Sequence, residues 1–512
     1  PDLWVTLSSE VCPEIREYDR FTTAPANAYV QPRIAGYVRS LARGLKAEGL
    51  ACPLFLMTSG GGLMTVDHAL REPIRLVESG PAGGAILAAR IAQECGLDQV
   101  LSFDMGGTTA KICLIEHGTP QTTRSFEVDR QARFVKGSGL PLRVPVIEMV
   151  EIGAGGGSIA RLDLTRRIAV GPDSAGSEPG PACYGRGGES ATVTDADLEL
   201  GRIDPLTFAG GRMPLQPERA RRALALAIGE PLGLEPTLAA LGVAEMVDEA
   251  MANAARVHGA ERGCEVAGRT LVAFGGAAPI HAARLAAKLG IRHIVVPTGA
   301  GVGSAVGFLQ APAAYEVIRS RYMRLDGFDA ESVNRIVAEL ELEARAVVEA
   351  AAPDADLDQS RSAHMRYVGQ GHEIVAPLPA RRLTPGEASL LQASFDQTYR
   401  MLYGRLIPGL SVEVLSWGLK LTSEVEPVHP VAEPAKRPVA SPVERRALLD
   451  IGTQAWIEAF VYRRPDLLPG VALEGPALVV EEDTTILVAP GWSARVDARG
   501  HLRLERAAEL PG

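Results

Sequence analysis

The chain has 512 residues, of which 46% are hydrophobic and 22% charged, as is usual for a globular protein. This length predicts roughly two to four domains. Its 52 Lys and Arg residues against 62 Asp and Glu residues give a net charge of −10, which argues against a general binder of nucleic acid or acidic membranes. No apolar stretch reaches the roughly 18 residues of a membrane span, and no signal peptide is recognisable.

The Cys and His residues give no sign of a metal centre. The six cysteines are scattered, without a C-x-x-C motif, which predicts free thiols in a reducing cytoplasm. The nine histidines form neither H-x-H nor H-E-x-x-H, which disfavours an ordinary metal hydrolase. A Ser triad is also disfavoured, because no G-x-S-x-G elbow follows a strand; residues 301–307, around Ser304, come closest and fail the pattern.

Two glycine-rich segments come first along the chain. A short strand over 53–57 runs into T58-S-G-G-G62, and S79-G-P-A-G-G84 opens a helix over 85–95. Glycines between a strand and a helix have two explanations: they allow a ligand to approach the backbone closely, or they simply form a turn. The small residues at 79–84 suit close helix packing or an anion at a helix N-terminus. The sequence leaves these alternatives open.

Residues 100–115, V-L-S-F-D-M-G-G-T-T-A-K-I-C-L-I, predict a β-hairpin with a polar tip. Glycines let a backbone approach phosphate closely, Thr hydroxyls add donors, Lys adds positive charge, and Asp is placed to hold Mg²⁺ through water. The candidate residues are Asp104, Gly106, Gly107, Thr108, Thr109 and Lys111. The segment is not a Walker loop, and an ordinary glycine hairpin with a chance Asp is the alternative.

A second glycine loop and an acidic segment follow. I152-G-A-G-G-G-S158 comes after a β-run and predicts a loop passed closely by a ligand or by another backbone. The ligand-binding candidates are Gly155, Gly156, Gly157 and Ser158. In T192-V-T-D-A-D-L, Asp195 and Asp197 suit metal ligation, but Asp195 suits equally the cap of a helix over 196–200.

T270-L-V-A-F-G-G-A-A-P-I-H281 is the next informative stretch. It predicts a strand over 271–274, a turn at Gly275 and Gly276, and a helix over 278–289 with Pro279 in its first turn. Another strand follows at 291–297, and this alternation of strand, turn and helix is typical of an α/β fold. Ligands in such folds bind beyond the carboxyl ends of the strands.

Several motifs in one order resemble a known family. They are S79-G-P-A-G-G, F103-D-M-G-G-T-T, I152-G-A-G-G-G-S-I, G180-P-A-C-Y-G, T192-V-T-D-A, F274-G-G-A-A-P-I-H and R366-Y-V-G-Q. Over nearly its whole length the chain resembles the A subunits of ATP-dependent hydantoinases and oxoprolinases, which include the nucleotide-binding subunits of acetone-type carboxylases.

The resemblance implies a fold and two nucleotide-binding loops. The family is similar to the actin, sugar-kinase and Hsp70 ATPases, in which two lobes clamp ATP and Mg²⁺. It implies that residues 104–109 form the second phosphate hairpin. It also implies an adenosine-side loop made by Gly275, Gly276, Ala277 and Pro279. Lys111 departs from the family pattern, in which an Asp often stands at this position.

The sequence pattern predicts a domain division, and the resemblance implies partners. The predicted parts are a core over 1–310, which the resemblance makes an actin-like ATPase, an α+β region over 311–426 that contains a long acidic helix at 328–352, a Pro-rich linker over 427–445, and a small β-rich domain over 446–512. A first lobe of roughly 200 residues with its own hairpin is absent here, so we expect it upstream or on a separate chain. A B-type partner subunit, and hence a hetero-oligomer, is expected.

Three functions follow from the resemblance. The first is the ATP-binding subunit of a cyclic amide hydrolase of the hydantoin, oxoproline or lactam type, which phosphorylates the carbonyl oxygen before ring opening. The second is the nucleotide-binding subunit of an ATP-dependent ketone carboxylase. The third is a non-enzymatic actin-like half-clamp that acts only in an assembly. The small-molecule substrate itself is not readable from the sequence.

Overall fold

The computed structural model describes residues 3–50, 52–129, 137–424, 426–429, 431–438 and 441–507. The fold is α/β, as predicted, and the chain forms two compact units. Unit 1 comprises Pro1–Ala82, Thr122–Ile147 and Gln310–Pro427, and unit 2 comprises Gly83–Gln121, Glu148–Leu309 and Val428–Gly512.

Unit 2 is built around a nine-stranded sheet. Its central strands, Gln99–Met105, Thr270–Phe274 and His293–Val296, run parallel and are apolar almost throughout. Such runs are typical of strands covered on both faces, and helices Pro236–Glu261 and Ala278–Leu289 pack against this sheet. The parallel strands bring the ends of Gln99–Met105 and Thr270–Phe274 to the same edge.

The elements of unit 2 have the following bounds. The helices are Ser79–Cys95, which crosses the unit boundary, Val193–Glu199, Pro217–Leu224, Ala225–Gly229 (a π-helix), Glu230–Leu232, Pro236–Glu261, Ala278–Leu289 and Gly303–Gln310, with short 3₁₀ turns at Ala182–Tyr184, Phe208–Gly211, Ala300–Val302 and Arg464–Asp466. The remaining strands are Ala110–Glu116, Thr119–Pro120, Met149–Ile152, Ser158–Leu162, Ile168–Ser174, Glu444–Asp450, Ala455–Arg463, Ala472–Glu474, Ala477–Val480, Thr485–Val488, Trp492–Val496 and Leu502–Arg506.

The segment S79-G-P-A-G-G84 lies inside a helix, because helix Ser79–Cys95 begins earlier than the sequence predicts. A Cβ atom on Gly307 would overlap the carbonyl oxygen of Gly83, and one on Gly84 would lie 2.7 Å from the Phe274 ring. These glycines therefore let two helices approach each other closely, so the packing alternative holds for this segment.

Unit 1 is built around a four-stranded antiparallel sheet covered by helices Ala330–Ala351 and Ala388–Tyr403. Asp329 caps the first helix, since its carboxylate accepts from the N–H groups of Glu331 and Ser332, both at 3.1 Å. The sheet strands are, in spatial order, Ala314–Arg324, Val412–Ser423, Leu357–Tyr367 and Ile374–Leu378. The other elements are helices Ser8–Val11, Glu17–Ala47 and Val66–Arg71, 3₁₀ turns Pro73–Leu76, Leu325–Gly327 and Pro385–Glu387, and strands Phe55–Met57, Leu63–Thr65, Thr122–Val128 and Leu140–Ile147.

The two units cut across the predicted domain boundaries. Strands Ala472–Glu474, Trp492–Val496 and Leu502–Arg506 do not form part of a separate β-rich domain, because they extend the central sheet of unit 2. Residues 1–82 and 122–147 group with 310–427 rather than with the predicted core. A sheet edge takes any strand that pairs with it, whatever its distance along the chain, so chain order could not reveal this division.

Among the described residues, no single helix is long and apolar enough to cross a bilayer. Helices 217–232 and 236–261 reach that length and composition only together, and they are bent by 90° at the break between them.

A buried ion network joins the three stretches of unit 1. The Glu14 carboxylate accepts from Arg124 Nη2 at 2.6 Å and from Arg143 Nε at 3.0 Å. Arg124 also forms an ion pair with Glu316, and Arg143 forms one with Glu373, each at 3.1 Å. Burial alone would raise the pKa of Glu14, but Arg124 and Arg143 outweigh it and lower the pKa to about 2.

We predict that Glu14→Gln lowers the free energy of unfolding by about 3 kcal/mol at pH 7, because it removes the buried carboxylate that the two guanidinium groups share and leaves them with only their outer partners, Glu316 and Glu373. In the wild type this contribution is fully present above the ordinary pKa of 4.5 and is lost as the pH falls towards about 2. Urea unfolding at pH 7 and pH 3.5 should therefore show a smaller difference between the two proteins at the lower pH. The exposed Glu48→Gln serves as the control, and an equal difference at both values would contradict the prediction.

Candidate functional site

The predicted hairpin is present. Strands Gln99–Met105 and Ala110–Glu116 pair in antiparallel register, and the turn is closed by the Gly106 N–H, which donates to the Thr109 carbonyl at 3.2 Å. In the described part of the chain, the N–H groups of Gly107, Thr108 and Thr109 have no hydrogen-bond acceptor. Three free backbone donors at a glycine turn suit an anion.

Asp104 lies near the end of its strand, and its carboxylate accepts a hydrogen bond from Ser304. Ser304 Oγ donates to Asp104 Oδ2 at 2.9 Å. Burial raises the pKa of Asp104, while the Ser304 hydrogen bond and the nearby charge of Lys111 oppose that rise. Ser304 was considered only as a nucleophile, and nothing in the local sequence indicates that helix Gly303–Gln310 reaches the hairpin.

Lys111 stands opposite Asp104 in the hairpin register. Its ammonium group donates to Thr109 Oγ1 and forms an ion pair with Glu151 Oε1 at 3.3 Å. The predicted positive charge is therefore present at the hairpin tip, where it is held between a hydroxyl and a half-exposed carboxylate.

The glycine loop, residues 153–158, packs against the hairpin tip. The Gly156 N–H donates to the Gly106 carbonyl at 3.0 Å, and the Gly157 N–H donates to the Gly107 carbonyl at 2.6 Å. A Cβ atom on Gly155 would lie 2.6 Å from the backbone of Thr108. The glycines are therefore explained by another backbone, which was one of the two alternatives.

This packing changes the role predicted for the glycine loop. The Gly155 N–H donates to Ser158 Oγ at 2.8 Å, and Ser158 is completely buried. Because these donors already have partners, Gly155, Gly157 and Ser158 support the hairpin rather than offering N–H groups to a ligand. Gly156 lines the cavity described below and stays a binding candidate.

The FGG loop, residues 274–277, lies beside the hairpin. Phe274 is opposite Asp104 in the parallel register, and the Ala277 N–H donates to the Met105 carbonyl at 2.9 Å. Gly275 has φ +99°, and a Cβ atom there would lie 2.5 Å from the Met105 oxygen, so this close approach requires glycine. Pro279 is buried in the first turn of helix Ala278–Leu289, which follows the FGG loop directly.

One cavity of about 250 Å³ joins the predicted loops. This is slightly below the range of roughly 300–1,000 Å³ for small-molecule sites. The hairpin tip, the glycine loop, the FGG loop and several apolar side chains all contribute to its lining. The lining residues include Gly106, Gly107, Gly156, Gly276, Ala277, Tyr184, Ile203, Phe208 and Ile280.

A further wall of the cavity comes from the acidic loop, residues 481–484, which sequence reasoning missed. Thr484 Oγ1 donates to the Gly276 carbonyl at 3.1 Å, and a Cβ atom on Gly301 would lie 2.6 Å from Asp483 Cβ. The loop joins strands Ala477–Val480 and Thr485–Val488, about 200 residues from the FGG loop. Its sequence, E-E-D-T, resembles an ordinary polar turn, so no local signal marked it.

Asp195, predicted as a metal ligand or as the cap of a helix over 196–200, lies in the first turn of helix Val193–Glu199 and forms a capping box with the N-cap residue Thr192. Its carboxylate accepts from Thr192 Oγ1 at 2.7 Å and from the Cys183 N–H at 2.7 Å, and the residue is fully buried. With both oxygens occupied by donors, Asp195 is not available to a cation. Within the residues that the structure describes, no three His, Cys, Asp or Glu side chains come together as a metal site.

Asp197 lines the cavity and belongs to a buried charge cluster. Its carboxylate accepts from Arg202 Nη1 at 2.8 Å and contacts His281 Nε2 at 3.2 Å, while His281 Nδ1 lies 2.8 Å from Asp248 Oδ1. Burial opposes a charged imidazole, but the two carboxylates outweigh it and raise the pKa of His281 to about 10. The cluster joins helices Val193–Glu199, Pro236–Glu261 and Ala278–Leu289.

The fold and the site define an α/β protein with a glycine hairpin and an adjacent glycine loop at the carboxyl ends of two parallel strands. Its sequence matches the hydantoinase/oxoprolinase family over residues 20–317 and the hydantoinase/oxoprolinase C-terminal domain over residues 328–507. The chain belongs to the hydantoinase/oxoprolinase family.

Two relatives and one solved structure show the range of this family. The caprolactamase alpha subunit of Pseudomonas jessenii is 32% identical over 97% of this chain and 71% of the relative. The acetophenone carboxylase gamma subunit of Aromatoleum aromaticum is 31% identical over 99% of this chain and 70% of the relative. The crystal structure of the ATP-dependent caprolactamase of P. jessenii matches with a TM-score of 0.81 and 32% identity, over 99% of this chain and 73% of that one. The family therefore includes ATP-dependent enzymes.

We predict that Gly155→Ala destabilises unit 2 by about 1–3 kcal/mol, because the added methyl group would overlap the Thr108 backbone. Urea unfolding measures the loss, and hydrogen exchange should report faster opening of the hairpin. The matched control is Gly268→Ala, whose methyl group would meet nothing within 4 Å. Equal stability of the two variants would contradict the prediction, because it would show that the glycine loop can shift to accommodate the added methyl group.

The His281 cluster predicts a pH dependence of stability. Since the folded pKa of about 10 lies above the ordinary 6.5, the contribution of the imidazolium is fully present below pH 6.5 and is lost as the pH rises through 10. The difference in unfolding free energy between the wild type and His281→Asn should therefore shrink from pH 6 to pH 10. Exposed His117→Asn is the control, and a constant difference would indicate a neutral His281.

Proposed function

We propose that the cavity of unit 2 binds ATP with Mg²⁺, and that the chain is the ATP-binding subunit of an ATP-dependent cyclic amide hydrolase. The observation that carries this proposal is the convergence of the hairpin tip, the FGG loop and an apolar wall on one cavity. The hairpin tip offers backbone donors to phosphate, and the apolar wall suits a nucleobase. The relationship to an ATP-dependent lactamase supports this assignment.

The two ends of the cavity orient the nucleotide. The rings of Tyr184 and Phe208, with centroids 5.8 Å apart, belong to the same apolar cluster as Ile280, and this surface receives the base. The free N–H groups of Gly107 and Thr108 receive phosphate oxygens at the other end. Lys111, fixed by Thr109 and Glu151, adds positive charge beside them.

Asp104 is the residue that would hold Mg²⁺. Its Oδ2 accepts from Ser304, whereas Oδ1 has no donor among the described residues, so one oxygen is available to a metal-bound water. A nearby cation would also offset the burial that raises the pKa of this carboxyl. When bound, Mg²⁺ would neutralise charge on the phosphates.

The chemistry explains why an amide hydrolase needs a nucleotide site. The carbonyl of a lactam or hydantoin is a poor electrophile, and phosphorylation of its oxygen creates a good leaving group. This chain positions the phosphates, and a B-type partner subunit opens the ring within a hetero-oligomer. The naming of relatives as subunits supports that assembly. A second lobe in cis or in trans stays a prediction, and the six free cysteines support a cytoplasmic location.

We predict that the purified protein, with whatever copurifies, releases ADP from Mg-ATP and that a hydantoin or lactam stimulates this release. Stimulation only by a ketone with bicarbonate would replace the proposal with the carboxylase function, which the acetophenone carboxylase relative supports. If neither substrate class stimulates ADP release, the result would favour a half-clamp that acts only in a larger assembly.

Asp104→Asn should reduce ADP release by about 10²-fold or more, because it removes the charge that would hold the metal. Binding of a fluorescent ATP analogue without metal should persist in this variant, which separates catalysis from folding. Asp98→Asn, one residue before the same strand and exposed, is the matched control. Unchanged ADP release in Asp104→Asn would remove Asp104 from the site.

A further inference from the structure

A second, smaller cavity lies in unit 1 at the TSGGG loop, residues 58–62. It has a volume of about 70 Å³. At about 30 Å³ per water molecule this is room for two waters or for one small polyatomic group. Its lining residues are Thr58, Ser59, Gly60, Gly62, Arg75, Thr122, Pro145, Ala314, Tyr315, Glu316 and Lys420.

Among the described residues, four of the five backbone N–H groups of the TSGGG loop donate hydrogen bonds, and one has no acceptor. The Thr58 and Ser59 N–H groups donate to the carbonyls of Gly62 and Arg75, both at 2.8 Å. The Gly61 N–H donates to the Thr58 carbonyl at 3.0 Å, and the Gly62 N–H donates to Thr58 Oγ1 at 3.2 Å. Among the residues with described positions, the Gly60 N–H has no acceptor.

The fold explains two of the three glycines but not Gly60. Gly61 has φ +82°, and a Cβ atom on Gly62 would lie 2.5 Å from the Ala314 oxygen. Gly60 has no left-handed backbone, and a Cβ atom there would lie 3.4 Å from Pro145, at ordinary contact distance. A side chain at position 60 would instead take up space beside the free N–H group.

The cavity also contains a cation without a counter-charge. Lys420 is half-buried, and no carboxylate of the described chain lies within 4.0 Å of its ammonium group. Glu316 lies directly opposite Lys420 in the strand register, but its carboxylate forms an ion pair with Arg124 at 3.1 Å. Arg75 is held by Glu72 at 2.5 Å and lies over the Tyr315 ring, with 4.6 Å from Cζ to the ring centroid.

We propose that this cavity binds a small oxyanion, either the carboxylate of an organic molecule or a free inorganic anion. Gly60 and Lys420 both line this cavity, and neither the Gly60 N–H nor the Lys420 ammonium group has a partner among the described residues. Thr58 adds a third donor, because its hydroxyl oxygen accepts from Gly62 while its proton stays free to donate. An oxyanion has several acceptor atoms and would satisfy all three donors at once. The proposal is independent of the nucleotide cavity, since every lining residue belongs to unit 1.

Saturation-transfer NMR with acetate tests this on the full chain in the absence of nucleotide and at constant ionic strength. We expect an acetate signal in the wild type, and at least tenfold weaker binding in Lys420→Met, because a charge-assisted hydrogen bond is lost. Lys46→Met, which removes an exposed lysine of the same unit, should bind like the wild type. Lys420→Arg keeps the charge and should retain binding, whereas Lys420→Gln should lose it even if Lys420→Met does not fold.

Competition distinguishes the two sources of the anion. Displacement of acetate by bicarbonate or phosphate at lower concentration than acetate itself would assign a free inorganic anion, and resistance to both would assign an organic carboxylate. No acetate signal in the wild type, together with no binding of bicarbonate or phosphate by calorimetry, would overturn the proposal. An equal acetate signal in Lys420→Gln would also overturn it. Because no nucleotide is present, none of these outcomes depends on whether the cavity of unit 2 binds ATP.

Discussion

The candidate site depends on the backbone contacts that hold the hairpin tip between two other loops. The glycine loop donates two N–H groups to the carbonyls of Gly106 and Gly107, and the FGG loop donates one to Met105. These bonds occupy the carbonyls of Met105, Gly106 and Gly107, while the N–H groups of Gly107, Thr108 and Thr109 have no acceptor among the described residues. A turn held in this way offers several donors in fixed directions, which is the property that electrostatic stabilisation of a phosphate requires. The glycines follow from the same constraint, because a side chain would separate the three backbones.

Charge is placed differently in the structural clusters and in the site. Glu14 and His281 lie in clusters where each buried charge has opposite charges in contact with it, and their pKa values move to favour the charged form. Among the described residues, the Asp104 carboxylate accepts a hydrogen bond only from Ser304, and its pKa moves towards the neutral form. An incompletely compensated carboxylate beside the hairpin tip is suited to meet a cation, whereas a compensated one is suited to hold helices together.

Chain order conceals how the site is assembled. The hairpin, the FGG loop and the acidic loop belong to strands that meet only in the folded sheets of unit 2, although the acidic loop is close to the C-terminal end of the sequence. Three C-terminal strands extend the central sheet. The acidic loop joins two strands of a separate four-stranded sheet, and its Thr484 donates to the Gly276 carbonyl. A region that resembles a separate β-rich domain in sequence therefore completes a wall of the unit 2 cavity. Its contribution is structural support together with a polar surface, and neither requires a distinctive motif.

The sequence alone determined the local elements and the family, because apolar periodicity and glycine position act over a few residues. The hairpin, strand Thr270–Phe274 with its glycine turn, and the long acidic helix could all be read in this way, and so could Asp104 and Lys111 as neighbours. Only the tertiary structure decided which donors were already used. It made Asp195 the capping-box partner of Thr192, used Gly155 and Ser158 to support the hairpin, and brought Ser304 to Asp104. Each of these outcomes depends on a hydrogen bond that the surrounding fold completes, and no spacing rule encodes whether a polar group will find a protein partner before it meets a ligand.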